Sequence, residues 1–526
     1  MARTGRFVSR FLLVCALCGG AYLAWVSSFG TPSPVELLPP GAFCVVDVRG
    51  AEGLADRLSG TRFAAAFAQS ATREWLERTA AVRAFDSVLA EVRRISGVSP
   101  GRSSVFDLIG AEAAVGWYPA AGGESAGALW VAGGRLSLRA WAVASAMRLG
   151  RMLGLGATSV TREETAGCVL YSVPGSAGKS LYLFLAGRVL VGGSDRSLVV
   201  AAARAVGDAG ASVTREPAWQ AIQGALPASG ELYVWVRDRS VIPGVVPAGP
   251  SGRGSAGARL RAGKTIEIDV AAEPSSSRPA VNAAGGAPKP LPGIALLRQA
   301  PLFLLTSGEP APTALTDLLQ TRLRAVAKRS RSTATQQAAI RPGSGYAVVI
   351  TDSVVGPGFF PTPRGVVVIG MADAAEAASA LPLLFPPGAR SATSGGTRAL
   401  ATRESFPLAG EFEFWGAAVG PQLVFATDTS LIDAAVADPG TVATPRPEDQ
   451  TWTASSVATI SMEKLLPLLR RWGPPLSGLV AASWPDGPDV TRDLGLLAAV
   501  GTIQVTAGSD SRFARAAITL NLHDLQ

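Results

Sequence analysis

Leu181–Leu198 reads LYLFLAGRVLVGGSDRSL, and Glu413–Leu431 reads EFWGAAVGPQLVFATDTSL. In each stretch an apolar strand meets a Gly-led turn (Gly187, Gly420), then a second strand and a small-residue step. Each then reaches Asp-x-Ser-Leu (Asp195, Ser197, Leu198; Asp428, Ser430, Leu431) and an Ala-rich helix. Two apolar runs separated by a tight turn signal a hairpin. Its recurrence with the same sequel predicts an internal duplication. Such a repeat is also an internal control, because a chemical motif found in one copy only does not belong to the shared framework.

Working outward, the first copy opens at Leu37-Leu38-Pro39-Pro40-Gly41 and the strand 42–48. Helical spacing follows at Leu54, Leu58, Phe63 and Phe67, then at Trp75, Val82, Phe85, Leu89 and Val92. Residues 113–118 and 128–132 predict a hairpin, and Ser137 is a good N-cap for a helix through Trp141 to about Met152. Strands at 169–173 and 181–185 lead to the repeated helix, and strands at 232–236 and 264–270 close the copy. The second copy keeps the order: 302–306, a helix at 315–327, a hairpin of 347–351 and 366–369, and a helix at 372–384. Strands at 457–461, 502–507 and 514–522 close it. The offset between copies stays near 233 residues from Ala113/Ala347 to Asp195/Asp428.

Between the copies, EPSSSRPAVNAAGGAPKPLP (Glu273–Pro292) cannot build a core and reads as a linker. Ile242–Gly257 reads as a long inserted Gly/Pro/Ser loop. Adjacent hairpins with helices between pairs predict an α+β fold of two tandem related domains, with mainly antiparallel sheets and packed helices. The expected boundaries are 36–272 for the first domain, 273–292 for the linker and 293–526 for the second domain.

The N-terminus supplies an address. Arg3, Arg6 and Arg10 precede a mostly apolar run from Phe11 to Val26, and no acid appears before Glu36. The positive-inside bias places residues 1–10 in the cytoplasm and the bulk of the chain across the membrane. Residues 11–30 read as a single-pass transmembrane anchor or as a signal peptide cleaved near Val26-Ser27-Ser28. Cys15 and Cys18 fall in this segment, but Val14 and Leu17 stand where a lipoprotein signal needs a small residue. The expected location is a bacterial inner membrane, with most of the 526 residues periplasmic. Cys44 and Cys168 lie in apolar strand-like runs, either as buried thiols or as a disulfide pair. Net charge is +8, carried by scattered arginines. The concentrated patch, Arg322, Arg324, Lys328, Arg329 and Arg331, reads as a solvated helix end, with acidic lipid head groups as the second reading. No nucleic-acid partner is expected.

Three motifs resemble catalytic signatures, and each lacks its required context. Gly123-Glu124-Ser125-Ala126-Gly127 spells a nucleophile elbow, but a strand follows it where the elbow needs a helix, and the chain's one histidine is His523. The second copy has Gly356-Pro357-Gly358-Phe359-Phe360 in that loop. Gly175-Ser176-Ala177-Gly178-Lys179-Ser180 precedes a strand, whereas a phosphate loop precedes a helix. Ser461-Met462-Glu463-Lys464 has the Ser-x-x-Lys spacing without its companion motifs. One histidine and four cysteines exclude the usual zinc spacings. Asp195 and Asp428 are expected to be helix N-caps worth about 1 kcal/mol each. No catalytic, cofactor-binding or metal-binding residue is assigned, and no cofactor is expected.

The opening Leu38-Pro39-Pro40-Gly41-Ala42-Phe43 and the strands LVGGSDRSL and LVFATDTSL resemble a bacterial family of membrane-anchored envelope proteins of unknown function. The second copy departs from it at Gln299-Ala300-Pro301-Leu302, which lacks the Leu-Pro opening. The resemblance implies an envelope location and no particular chemistry. The expected function is non-catalytic binding or scaffolding outside the cytoplasm, with other envelope proteins as partners. The alternative is binding of a lipid or other apolar ligand, and a serine hydrolase ranks third.

Overall fold

Strand formation follows a strict alternation of buried and outward residues. In Cys44–Arg49, Val45 and Asp47 turn inward while their neighbours are partly exposed, as a half-buried strand requires. The computed structural model of the protein describes residues 31–78, 112–119, 129–137, 140–141, 161–174, 180–238, 254–273, 301–330, 342–354, 362–394, 396–406, 410–437, 455–471, 493–509 and 512–523. The segment 11–30 lies outside these residues, as do Ser125, Lys179, Arg331, nearly all of the linker and most of the Ser137 helix. Among the described residues no helix is long and apolar enough to cross a membrane.

The first half of the chain supplies β1 (Cys44–Arg49), β2 (Glu112–Tyr118), β3 (Leu129–Arg135), β4 (Thr161–Thr165), β5 (Cys168–Pro174), β6 (Ser180–Ala186), β7 (Val189–Gly193), β8 (Leu232–Val236), β9 (Ala256–Ala262) and β10 (Thr265–Ala272). The second half supplies β11 (Phe303–Pro310), β12 (Pro342–Val354), β13 (Thr362–Met371), β14 (Arg390–Ser394), β15 (Thr397–Phe406), β16 (Gly410–Val419), β17 (Gln422–Ala426), β18 (Ser456–Ser461), β19 (Val500–Ser509) and β20 (Ala514–Leu522). From β1–β2 and β1–β8 through β8–β9 in the first half, and from β11–β12 and β11–β18 through β19–β20 in the second, the strand pairs are antiparallel.

This architecture corrects the expected fold class. The strands belong to one twenty-stranded sheet, so the protein is predominantly antiparallel β and not two tandem α+β domains with packed helices. The helix-period stretches do form helices, but most are short: Ala51–Ser59, Arg62–Phe67, Ala71–Glu77 and Ala374–Ala380. Among the described residues the longest helix is Thr313–Ser330. Ile242–Gly257 is corrected at its end, where β9 already begins at Ala256.

The duplication is visible in the strand order. The first ladder runs β10-β9-β8-β1-β2-β3-β7-β6-β5-β4. The second runs β20-β19-β18-β11-β12-β13-β17-β16-β15-β14. Each strand of one has its counterpart at the same place in the other. The correspondence extends to register. Buried Asp47 faces Ala114 across the ladder, and buried Thr306 faces Ala347. Ala114, and not Ala113, is therefore the counterpart of Ala347, since a one-residue slip would turn every side chain to the wrong face. The same reading pairs Val131 with Val366, Gly193 with Ala426 and Tyr182 with Trp415. The quoted turns agree as well: Gly187 and Gly420 have φ of 58° and 55°, a backbone region glycine enters without steric cost.

One exchange shows how the copies diverged. Leu183 faces Gly192 in the first copy, while at the answering positions Gly416 faces Phe425. The bulky partner has changed strands. A Cβ on Gly192 would lie 2.7 Å from Leu183 Cδ2, and one on Gly416 would lie 2.6 Å from the Phe385 ring.

By contact density the chain divides into a unit of Met1–Gly60, Trp75–Gly263 and Ile268–Ser277, and a unit of Thr61–Glu74, Lys264–Glu267 and Arg278–Gln526. In the second unit both sheet faces are covered. Leu304, Val349, Val366 and Val424 pack with Leu431 and Ile432 of the Thr429–Ala437 helix on one face. Ile369, Leu423 and Phe425 pack on the other with Leu319 and Leu323 of the Thr313–Ser330 helix and with Leu381–Phe385. Double burial explains the continuous apolar run Val366–Ile369.

Candidate functional site

Chemistry shared by both copies would sit at the repeated Asp-x-Ser-Leu step. Asp195 instead caps the Arg196–Ala205 helix, accepting the Leu198 N–H at 3.0 Å and the Ser197 hydroxyl. Asp428 accepts the Ser430 N–H at 2.8 Å, and Arg364 reaches it at 3.0 Å. Hydrogen bonds to the charged form hold both carboxyls below the ordinary carboxylate value. The Ser197 hydroxyl is the main cause at Asp195, and the Ser430 N–H at Asp428. The expected caps are present.

Ser461 is the last residue of β18. Its N–H donates to Leu302 O at 2.9 Å, and its cross-strand partner is Thr502. Lys464 stands in the helical run that follows. The single histidine, His523, donates its N–H to Ala499 O at 3.0 Å and lays its ring against Gly501. Ser125 lies outside the described residues. Cys44 and Cys168 form no disulfide, and burial pushes the Cys44 thiol up to about 11. Among the described residues no three His, Cys, Asp or Glu side chains gather as a metal site. Arg322 of the basic patch is structural: it donates to Leu384 O at 3.0 Å, meets Glu404 at 3.1 Å and lies 4.0 Å from the Phe414 ring centroid.

The first copy carries a polar row that the second lacks. Asp47, Tyr233 and Arg259 are successive cross-strand partners on β1, β8 and β9, all buried. The answering residues are Thr306, Val457 and Thr506. Arg49 Nε lies 2.8 Å from Asp47 Oδ2, and the Arg259 guanidinium is 5.1 Å from the Tyr233 ring centroid. Desolvation pushes the Asp47 carboxyl up, with Arg49 opposing. Trp219 of the Pro217–Ala225 helix closes the row edge-on, 4.8 Å from Tyr233 and 5.6 Å from Trp235. Among the described residues the Tyr233 hydroxyl and Trp235 Nε1 have no hydrogen-bond partner. Sequence reasoning missed the row, because its members lie 186 and 26 residues apart along the chain.

Among the described residues a concavity lies in the second unit. A groove of about 320 Å³ is lined by Val326, residues 382–383 and 385–389, Arg398 and Leu400. Its walls come from the Thr313–Ser330 helix, residues 382–389 and β15. Pro382, Pro386 and Pro387 stiffen its wall, and Arg398 is its one charged lining residue. The volume is at the lower end for small-molecule pockets. Such a lining can hold an apolar group beside an anion. Sequence reading did not find it, since its walls come from three separate stretches.

No family model matches this chain, and no curated protein matches it. The solved structure of TP0453 in its crystal form I is similar at a TM-score of 0.24 and 8% identity, covering 47% of this chain and 80% of that one. A likeness of that size bears on neither fold nor function.

Proposed function

We propose that this protein is a membrane-anchored envelope protein that works by non-catalytic binding or scaffolding outside the cytoplasm, held at the membrane through residues 11–30. The observation that carries the reading is the groove in the second unit, walled by Val326, Leu383, Phe385 and Leu400 with Arg398 beside them. The duplicated acids support it, since both are occupied in capping helices. Photo-crosslinking from position 398 in intact cells, with the N-terminal segment retained, is expected to trap a protein neighbour. Labelling of Ser461 or Ser125 by a fluorophosphonate serine probe would overturn the reading in favour of a hydrolase. The groove also supports the apolar-ligand alternative, for which organic extraction of the purified protein would return lipid in stoichiometric amount.

A further inference from the structure

The two outer strands of the duplicated ladders differ in how they meet solvent. An edge strand presents unpaired N–H and C=O groups, and proteins commonly guard such edges with charge. β4 follows that rule: Thr161-Arg162-Glu163-Glu164-Thr165 is exposed through Glu164, and Glu163 pairs with Arg196. β14 occupies the same place in the second ladder and reads Arg390-Ser391-Ala392-Thr393-Ser394. It carries one charge against three on β4: Arg390, which stays exposed while lying 4.9 Å from the Trp415 ring centroid and 3.3 Å from Glu413. At its other end the Ser394 hydroxyl donates to Thr429 O at 3.3 Å and to Asp433. Among the described strands β14 pairs with β15. Every second residue of an edge strand turns its N–H and C=O away from its neighbour.

The groove is lined by Arg398 and Leu400 of β15, the partner of β14, and Arg398 Nε donates to Ser391 Oγ of β14 at 3.3 Å. Ser391 faces Leu400 and Thr393 faces Arg398 across the hairpin, so the two small exposed side chains of β14 share a sheet face with two groove residues. Ala389, the residue before β14, lines the groove as well. A sparsely charged edge strand, a recess beside its hairpin partner and one cation are the parts of a strand-addition site. Main-chain hydrogen bonds supply affinity there, and a pocket for alternate side chains supplies selectivity.

We infer that the β14 edge takes an extended peptide segment of a partner protein as an added strand, with an apolar side chain in the groove and a carboxylate at Arg398. This rests on the binding reading above and names its partner class. The acid is required because Arg398 is the groove's only charged residue.

The test is a random-heptapeptide display library selected against the full-length protein in nanodiscs. Enrichment of sequences alternating apolar and polar residues, with at least one Asp or Glu, is expected. The best synthetic heptapeptide should bind at least tenfold more weakly to Ser391→Glu/Thr393→Glu, which gives β14 the guard that β4 carries. Both positions are exposed, and circular dichroism checks that the fold persists. Arg398→Glu should exchange the acidic preference for a basic one. N-methylation at alternate peptide positions should abolish binding in one phase and spare it in the other. Enriched peptides indifferent to Ser391→Glu/Thr393→Glu and to N-methylation would overturn the edge assignment and leave the binding reading standing. No enrichment, with dodecanoate filling the groove instead, would overturn it in favour of an amphiphile. No enrichment together with no in-cell crosslink would remove both.

Discussion

The exchange of bulk between Leu183/Gly192 and Gly416/Phe425 gives a quantitative test of the residue-level duplication. In Gly192→Ala the new Cβ lies 2.7 Å from Leu183 Cδ2, well inside ordinary contact. The leucine can yield only by leaving its rotamer, so the cost is about 1 kcal/mol. Leu183→Ala alone removes a partly buried leucine and costs about 2 kcal/mol. In the double variant the obstructing methyl is gone, and alanine replaces glycine inside a strand at a gain of about 0.5 kcal/mol. The coupling is therefore about 1.5 kcal/mol, within the range for touching residues. Hydrogen exchange of the β6 and β7 amides, measured for the wild type and three variants, isolates this region from the rest of the sheet. Additivity within about 0.5 kcal/mol would show that the two positions do not face one another, and the register correspondence would fall. The partner glycine gives a contrast. Gly416→Ala meets the Phe385 ring, which Phe414 and Arg322 hold in place, so it should cost about 3 kcal/mol.

Four further outcomes are expected. Asp47 has its carboxyl raised above the ordinary 3.8 by burial, so the native state holds that proton more tightly than the unfolded chain and stability falls as pH rises from 3.8 through the native value. Asp47→Asn should raise the thermal midpoint at pH 7.5 and leave it unchanged near pH 3; an equal change at both would refute this. Asp493 accepts the Ala71 N–H at 2.6 Å and the Thr72 N–H at 3.0 Å, so Asp493→Ala should cost about 1–3 kcal/mol and speed exchange of the Ala71–Glu77 amides. Asp195 and Asp428 are held low, so their caps contribute fully above 3.8 and are lost as pH falls below it. The Asp195→Asn/Asp428→Asn double variant should flatten stability against pH below that value. Cys44, partly exposed with its thiol raised to about 11, should react with maleimide at neutral pH more than about tenfold more slowly than an unperturbed thiol, and labelling at the free-thiol rate would contradict the shift.

Local signals revealed much of the framework. The Gly187 and Gly420 turns, the apolar runs beside them and the Asp caps each involve residues fewer than twenty apart, where periodicity and turn chemistry act. β14 and β15 gave no such signal, because RSATS and TRALATRESF lack an alternating apolar face. β14, the outer strand of its ladder, has one partner among the described strands and is free to be polar, whereas β15 has two partners and a buried run of only Ala399, Leu400 and Ala401. Fold class failed for a related reason. Helix periodicity between hairpins was legible, but whether helices form a layer or short covers depends on how the strands join.

The chain by itself determined that one unit occurs twice, that its strands come in hairpins and that Asp195 and Asp428 begin helices, since these follow from neighbouring residues alone. Tertiary structure decided what lies beside what: β1 between β2 and β8, Asp47 beside Tyr233 and Arg259, Asp493 against a segment 422 residues away, and the groove at β14. Those choices minimise buried unpaired polar groups and exposed apolar surface over the whole chain at once, a condition no local stretch can express.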